Sequence, residues 1–362
     1  MNRRLAIGLL GPVISIVAVL VVLQTVNVGL TVDSIAHARL ELVLPAILLV
    51  ALGMVLRAWR WQRLIPARPR HVPVVRVIPV LLIGYLGNAV LPARLGEPIR
   101  AYLLARREGL SSFEVLGTAL LERIVDVASL ALMAFAAAWS LAAPAWVIQL
   151  TGAAAVGASG IVLLLIFVGV EPPIRFARRA ILAIGWGAAE RFLAILERFA
   201  LGIGGRSRGR PVAEASGLSI PIWLVDTGVC WLVAVALGVQ ISPAGALLVV
   251  AVGALGTSIP SAPGYVGTYE LAASAAGQAV GLPAPTALSL AIVLHAVTLL
   301  PVAMAGGISL MLLGGGSLGE IAGAAARREE LDARSSAGVP PDAEPPVTGL
   351  AEEVVDHHAQ RR

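Results

Sequence analysis

Arginines and carboxylates recur at short spacing in two places of an otherwise apolar chain, and both groupings fall where a membrane helix would be interrupted. In the first, residues 84–100, the positions Asn88, Pro92, Arg94, Gly96, Glu97 and Arg100 break an apolar run. Arg94, Glu97 and Arg100 are three apart, so on a helix beginning near Pro92 they would share a face with alternating sign. The second is Glu122, Arg123 and Asp126, at the start of the next apolar stretch. Ionised groups at that depth are too costly to face lipid and are expected to turn into a bundle interior. Two chemistries fit them. One is a clasp of ion pairs that locks two segments together. The other is an Arg-lined groove for an anionic headgroup, because guanidinium geometry suits phosphate oxygens.

The elements that must carry these residues follow from composition. Of 362 residues, 58% are hydrophobic and 14% charged, with a mean hydropathy of +0.87, which marks an integral membrane protein. A hydrocarbon core of about 30 Å needs about 20 apolar residues per helix. The stretches 5–23, 40–56, 127–145, 147–170 and 218–239 meet that pattern. Three more, 243–260, 265–281 and 286–313, are interrupted by Gly, Ser or Pro. The expectation is an all-α polytopic membrane protein of about eight transmembrane helices. Residues 78–91 are shorter than about 17 and basic on both flanks, so they read as a re-entrant helical hairpin.

All 27 basic residues are Arg, and their placement sets the topology. Arg3 and Arg4, the run from Arg57 to Arg76, the run from Arg94 to Arg107, and Arg175 through Arg210 fall on one side, with Arg39 on the other. The positive-inside rule makes the N-terminus and those segments cytoplasmic. Arg3-Arg4 and Ala36-His37-Ala38 also have the form of a secretory signal, but the apolar run exceeds the usual h-region. Residues 171–217 form a basic segment whose apolar positions recur at helical spacing. It reads as an interfacial segment on anionic lipid or as a cytoplasmic helix packed on the bundle. The organisation is therefore a membrane domain over 1–313 and a tail over 314–362, too polar to bury a core and expected to be disordered and cytoplasmic. The lone Cys230 sits within an apolar stretch and excludes an intrachain disulfide.

A second broken element echoes the first. Gly253-Ala254-Leu255-Gly256 runs on to Pro260 as Gly84-Tyr85-Leu86-Gly87 runs on to Pro92, and each is followed by glycine and a Glu: Gly96-Glu97, and Gly267 with Glu270. Paired interrupted segments in two halves of a chain point to an internal repeat with a site between its copies. Asp226 and His295 are further intramembrane polar residues, expected as helix–helix hydrogen bonds or as proton-handling groups.

The ordered set of Asn88, Leu91-Pro92, Arg94, Gly96-Glu97, Arg100, Glu122-Arg123-x-x-Asp126 and Pro263-Gly264-Tyr265-Val266-Gly267-x-x-Glu270 resembles the hallmark pattern of the lysylphosphatidylglycerol synthase transmembrane region, or flippase-like, family. Arg57-x-x-Arg60-Trp61 fits the same pattern, and the resemblance extends to about Leu313. It implies a polytopic protein of the bacterial inner membrane that moves or handles lipids, in some members fused to an aminoacyl transferase. The tail after Leu313 is too short and polar for such a domain, so lysyl transfer is not expected. The implied role is translocation of a phospholipid or lipid-linked envelope precursor, with Arg94, Arg100 and Arg123 on phosphate and Glu97, Asp126 and Glu270 balancing charge. Pro263, Gly264, Gly267 and Glu122 complete the candidate groove. The alternative is a non-transporting subunit or scaffold beside an envelope-synthesis enzyme. No catalytic residue, metal, cofactor or nucleic-acid partner is expected; no phosphate-binding Gly-x-x-x-x-Gly-Lys loop is present.

Overall fold

The computed structural model describes residues 13–21, 27–65, 72–91, 94–167, 199–203, 209–259 and 261–313, with positions 24, 176, 178–179, 193, 197, 318–321 and 323–324. Pro92, Pro260, Arg3, Arg4, Arg175, most of the 171–217 segment and nearly all of the tail lie outside them, so the expectations placed there lie outside the described residues.

Every regular element described is helical: α1 (Val28–Ala36), α2 (Val43–Leu64), α3 (Val74–Val90), α4 (Gly96–Glu108), α5 (Ser112–Ser140), α6 (Ala145–Phe167), α7 (Gly209–Ala236), α8 (Pro243–Gly256), α9 (Thr268–Ala279) and α10 (Ala284–Leu312). Their ends follow local chemistry. The Asn27 side chain accepts from the Leu30 N–H at 3.3 Å to start α1. Ser242 accepts from the Gly245 N–H at 3.1 Å, with Pro243 opening α8 where no amide partner is needed. Gly109, at φ 67°, closes α4 in the left-handed cap conformation. Leu91 is extended, as a residue before proline prefers, and ends α3.

Among the described residues, four stretches are long and apolar enough to cross a membrane: Leu40–Leu64, Ala145–Phe167, Arg210–Ala236 and Ala284–Leu312. α5 is as long as α10 but carries Glu114, Glu122, Arg123 and Asp126 in its first half. Two expected spans come out differently. Residues 243–260 and 265–281 become α8 and α9, of 14 and 12 residues, below the roughly 17 a crossing needs. They pack on each other as a hairpin, reversed around Pro263–Tyr265. The first hairpin also differs in extent. Residues 78–90 belong to one unbroken arm, α3, and the chain reverses only afterwards, with α4 as the return arm.

The two hairpins enter from opposite ends of the bundle. Along α2, Arg57, Arg60 and Arg63 meet Asp226, Ser219 and Glu214 of α7 in turn, so the helices are antiparallel and their C-termini lie at opposite ends. α3 follows the C-terminus of α2, and α8 follows that of α7. Each entering arm packs on the long helix that closes the other half, α3 on α10 and α8 on α5. Two units, α2–α5 and α7–α10, thus interlock with inverted orientation. Within each, the Gly-x-x-Gly is where the arms cross. A Cβ on Gly87 would lie 2.9 Å from the Gly96 Cα, and one on Gly256 would lie 2.5 Å from the Ala272 Cβ. The buried core, including Val50, Ile222, Leu248, Leu290 and Leu294, fills the space between units, while α6, with 17% of its apolar window buried, lies at the periphery.

Candidate functional site

The reversal of the first hairpin is tied by one side chain. Asn88, at the end of α3, accepts from the Gly96 N–H at 2.9 Å and donates to Glu97 Oε2 at 2.8 Å. Glu97 Oε1 in turn accepts from Arg123 Nη2 at 2.7 Å and Nε at 3.2 Å. In the second hairpin, Glu270 Oε2 accepts from the Gly267 N–H at 2.7 Å, and Oε1 lies 2.5 Å from His295 Nδ1 on α10. Both return arms therefore open on a carboxylate, favourable at a helix N-terminus, that reaches a cationic or protonatable partner on the next long helix.

The tips of the hairpins touch. Gly264, at φ 70°, nestles so closely that an added Cβ would stand 3.4 Å from the Ala89 carbonyl oxygen. The Arg94 guanidinium sits 5.3 Å from the Tyr265 ring centroid, within cation–π range. Arg94 and Tyr265 both hold positive φ, 55° and 61°, a conformation non-glycine residues rarely adopt. α4 begins only at Gly96, so Arg94 lies outside the helix and does not share a face with Glu97 and Arg100.

Beside the tips lies a cavity of about 190 Å³ between the two units. Its polar wall holds Arg57, Arg123, Asp126, Asp226 and His295, with Thr257 and Ser258. Tyr85, Trp223, Tyr265 and Tyr269 add aromatic surface, and aliphatic residues such as Val50, Leu130 and Leu294 complete it. The Trp223 indole N–H is buried without a partner among the described atoms. Arg57 is held in a two-pronged ion pair by Asp226 and lies 5.3 Å from the Trp223 ring. The arrangement is amphipathic: two guanidinium groups, the carboxylates of Asp126 and Asp226 and the His295 imidazole share the chamber with a larger apolar and aromatic surface.

A second charge cluster is buried. Arg60, 1% exposed, donates to Asp126 at 2.5 and 3.0 Å, to Glu122 at 2.9 Å and to Ser219 at 2.8 Å. Glu122 also pairs with Arg100 at 2.8 Å, whose guanidinium lies 4.6 Å from the Trp61 ring centroid. Trp61 donates its indole N–H to Thr118 at 3.0 Å. The candidate residues therefore divide. Arg123 and Asp126 reach the cavity, as do Asp226 and His295, whereas Arg100 and Glu122 sit in the buried clasp. Glu97 and Glu270 hold cavity residues from behind, and Asn88, Gly96 and Gly267 shape the hairpins. Pro263 opens the short turn at the second tip.

Arg57 and Arg60, which the sequence reading counts among the basic residues after the second span and within the family pattern but not among the candidate groove residues, join the candidate site. Both are buried in α2. Their signal is the 57, 60, 61 spacing, one helical face of two arginines and a tryptophan, facing acids that are 62 to 169 residues away.

Residues 24% identical to this chain over 342 positions occur in a protein of Haloferax volcanii named glycosyltransferase AglD; the match covers 86% of this chain and 55% of that protein. This chain thus spans about half the length of the curated relative it matches. The sequence profile of the lysylphosphatidylglycerol synthase transmembrane region matches residues 8–306. Those residues take in both hairpins, the cavity between them and the Arg60 clasp, and the chain belongs to that family.

Proposed function

We propose that this protein moves an amphiphile with an anionic headgroup, a phospholipid or a lipid-linked envelope precursor, between the two leaflets of a bacterial inner membrane. The observation that carries this reading is the cavity at the meeting of two inverted hairpins, with Arg57 and Arg123 set in an apolar and aromatic wall. Inverted units built around broken helices are the arrangement in which a central site is exposed alternately to either side. The phosphate meets Arg57 and Arg123, hydroxyls of Thr257 and Ser258 replace part of its hydration, and the acyl chains stay in hydrocarbon. No bond of the lipid need be made or broken, so the reading is of a non-enzymatic carrier.

In this reading both hairpins are re-entrant, and the crossings are the segment containing residues 13–21 together with α2, α5, α6, α7 and α10. The N-terminus and the Arg63, Arg76 and Arg107 end are cytoplasmic by the positive-inside rule.

The test uses proteoliposomes holding a fluorescent phosphatidylglycerol whose outer-leaflet copies are bleached by dithionite. Wild-type protein should render nearly all probe bleachable. The paired Arg123→Gln with Glu97→Gln, and the paired Arg57→Gln with Asp226→Asn, should stay folded, since no buried charge is left alone, and should leave about half of it protected on the same timescale, because the headgroup loses charge-assisted contacts. Full bleaching by these variants would refute the Arg-lined route.

A second reading rests on the relative. AglD is named a glycosyltransferase, and the part matched here is about half of it. A chain of this kind would then present a lipid-linked substrate to a separate envelope-synthesis enzyme. Co-purification with such an enzyme, and unaltered lipid asymmetry on deletion, would favour that role.

A further inference from the structure

The two units match closely enough for one chemical difference, at the partner of the return arm's carboxylate, to stand out. In the first, Glu97 opens the return arm and is held by Arg123, 26 residues later on the following long helix. In the second, Glu270 opens the return arm and is held by His295, 25 residues later on the following long helix. Both Arg123 and His295 line the same cavity. An arginine stays charged in a protein, whereas an imidazole can gain and lose a proton near neutral pH.

We propose that the Glu270–His295 pair is a proton-binding site coupled to the anionic headgroup in the cavity, so that each lipid moved carries a proton with it. The proposal rests on the translocation reading above and supplies its energy source. With His295 neutral and its Nδ1–H donated to Glu270, the pair carries one negative charge. A proton taken from water makes the pair neutral, the condition in which Glu97–Arg123 always stands. An anion in the cavity is repelled by the first state and not by the second. Proton and anion therefore each tighten the other's binding by the same factor. The proton enters from water on one side and returns to water on the other, and the N–H bond at His295 is the only bond formed and broken.

The other charged side chains that line the cavity are held in ion pairs with arginines or carboxylates, and Asp33 of α1, which packs on α10, is exposed. Arg57 of α2 is matched by Asp226 of α7, Arg123 of α5 by Glu97 of α4, and Asp126 of α5 by Arg60 of α2. Tyr269 stacks on His295 with ring centroids 4.4 Å apart, and Tyr85, Tyr265 and Cys230 are the other titratable groups of the cavity and its wall. α8 carries no charged residue, and neither does the helical run 13–21 that touches Gly267.

The same proteoliposomes, loaded with fluorescent phosphatidylglycerol and given a pH difference, test the coupling by the final distribution rather than the rate. One proton per monoanionic lipid predicts about tenfold asymmetry of the probe per pH unit. His295→Arg, which gives the second unit the fixed charge of the first, should reach a ratio near one at any pH difference. Wild-type protein that equilibrates the probe without regard to the pH difference would overturn the coupling while leaving translocation intact. Equal asymmetry in His295→Arg would also overturn it. Should wild-type protein move no probe, translocation fails, and proton uptake decides the site. Adding short-chain phosphatidylglycerol to detergent-solubilised wild-type protein should consume protons from weakly buffered solution, and His295→Arg and Glu270→Gln should not. Absence of uptake by wild-type protein would refute the site on its own.

Discussion

Arg60→Met is the substitution that most sharply tests the buried clasp. Arg60 donates to two carboxylates and a hydroxyl at 2.5 to 3.0 Å and is 1% exposed. Its removal affects the acids unequally. Glu122 retains Arg100 at 2.8 Å, while Asp126 has Arg60 as its partner in the clasp. One buried carboxylate is therefore orphaned, which costs about 3–5 kcal/mol. That is about two to three and a half orders of magnitude in the folding equilibrium. Arg60→Met with Asp126→Leu removes both charges and fills similar volume, so it should recover most of the loss, since apolar replacement of a buried pair is often neutral or stabilising. The coupling in the double-mutant cycle should exceed ~2 kcal/mol. The assay is reversible unfolding in mixed micelles, read by tryptophan fluorescence, with folded yield by size exclusion. A single Arg60→Met that costs under about 1 kcal/mol, or a double variant no better than the single, would show that the clasp contributes little and that the reasoning from buried charge is wrong.

Further outcomes follow from the hairpins and from the helix ends. Gly96→Ala should collapse folded yield, because its Cβ would overlap the backbone carbonyl oxygen of Gly84 on the facing arm; Gly256→Ala, 2.5 Å from the Ala272 Cβ, should do the same in the second hairpin, both read by size exclusion in detergent. Arg94→Gly relieves a positive φ, worth about 1–2 kcal/mol, and loses a cation–π contact of about 0.5–1 kcal/mol. The fold should thus be retained with a melting temperature at or slightly above that of the parent. Cysteines at exposed Arg107 and Gln240 should label from opposite sides of sealed vesicles with an impermeant maleimide, because hairpin one returns to the end opposite the α7 C-terminus. Native Cys230, 0% exposed, should remain unlabelled in the folded protein.

The sequence makes much of this architecture legible, and where it does not the reason is distance along the chain. The Gly-x-x-Gly and Glu echoes mark true structural equivalents, because close arm crossings require the absence of a side chain and helix starts favour a carboxylate. Length misleads at 243–260 and 265–281, where a turn at Pro263–Tyr265 and hairpin packing override apolarity. Arg57 and Arg60 look like loop residues because hydropathy counts them as polar, yet acids on α5 and α7 hold them inside. Those acids are up to 169 residues away, beyond any local pattern. For the same reason Arg100 is locked into the clasp while Arg57 reaches the cavity, a division invisible in spacing alone.

The seam between α2 and α7 bears on how the bundle is able to move. Apolar faces of membrane helices attract one another little more than they attract lipid, so they do not fix how far one helix has slid along its neighbour. Arg57–Asp226, Arg60–Ser219 and Arg63–Glu214 do fix it, as three rungs of a ladder. A slip of one turn, about 5.4 Å, would misalign every rung at once and strand charges against hydrocarbon. The seam is therefore an axle rather than a slide. Under the proposed translocation, the two helices would swing together, and the travel would come from the short arms packed beside them.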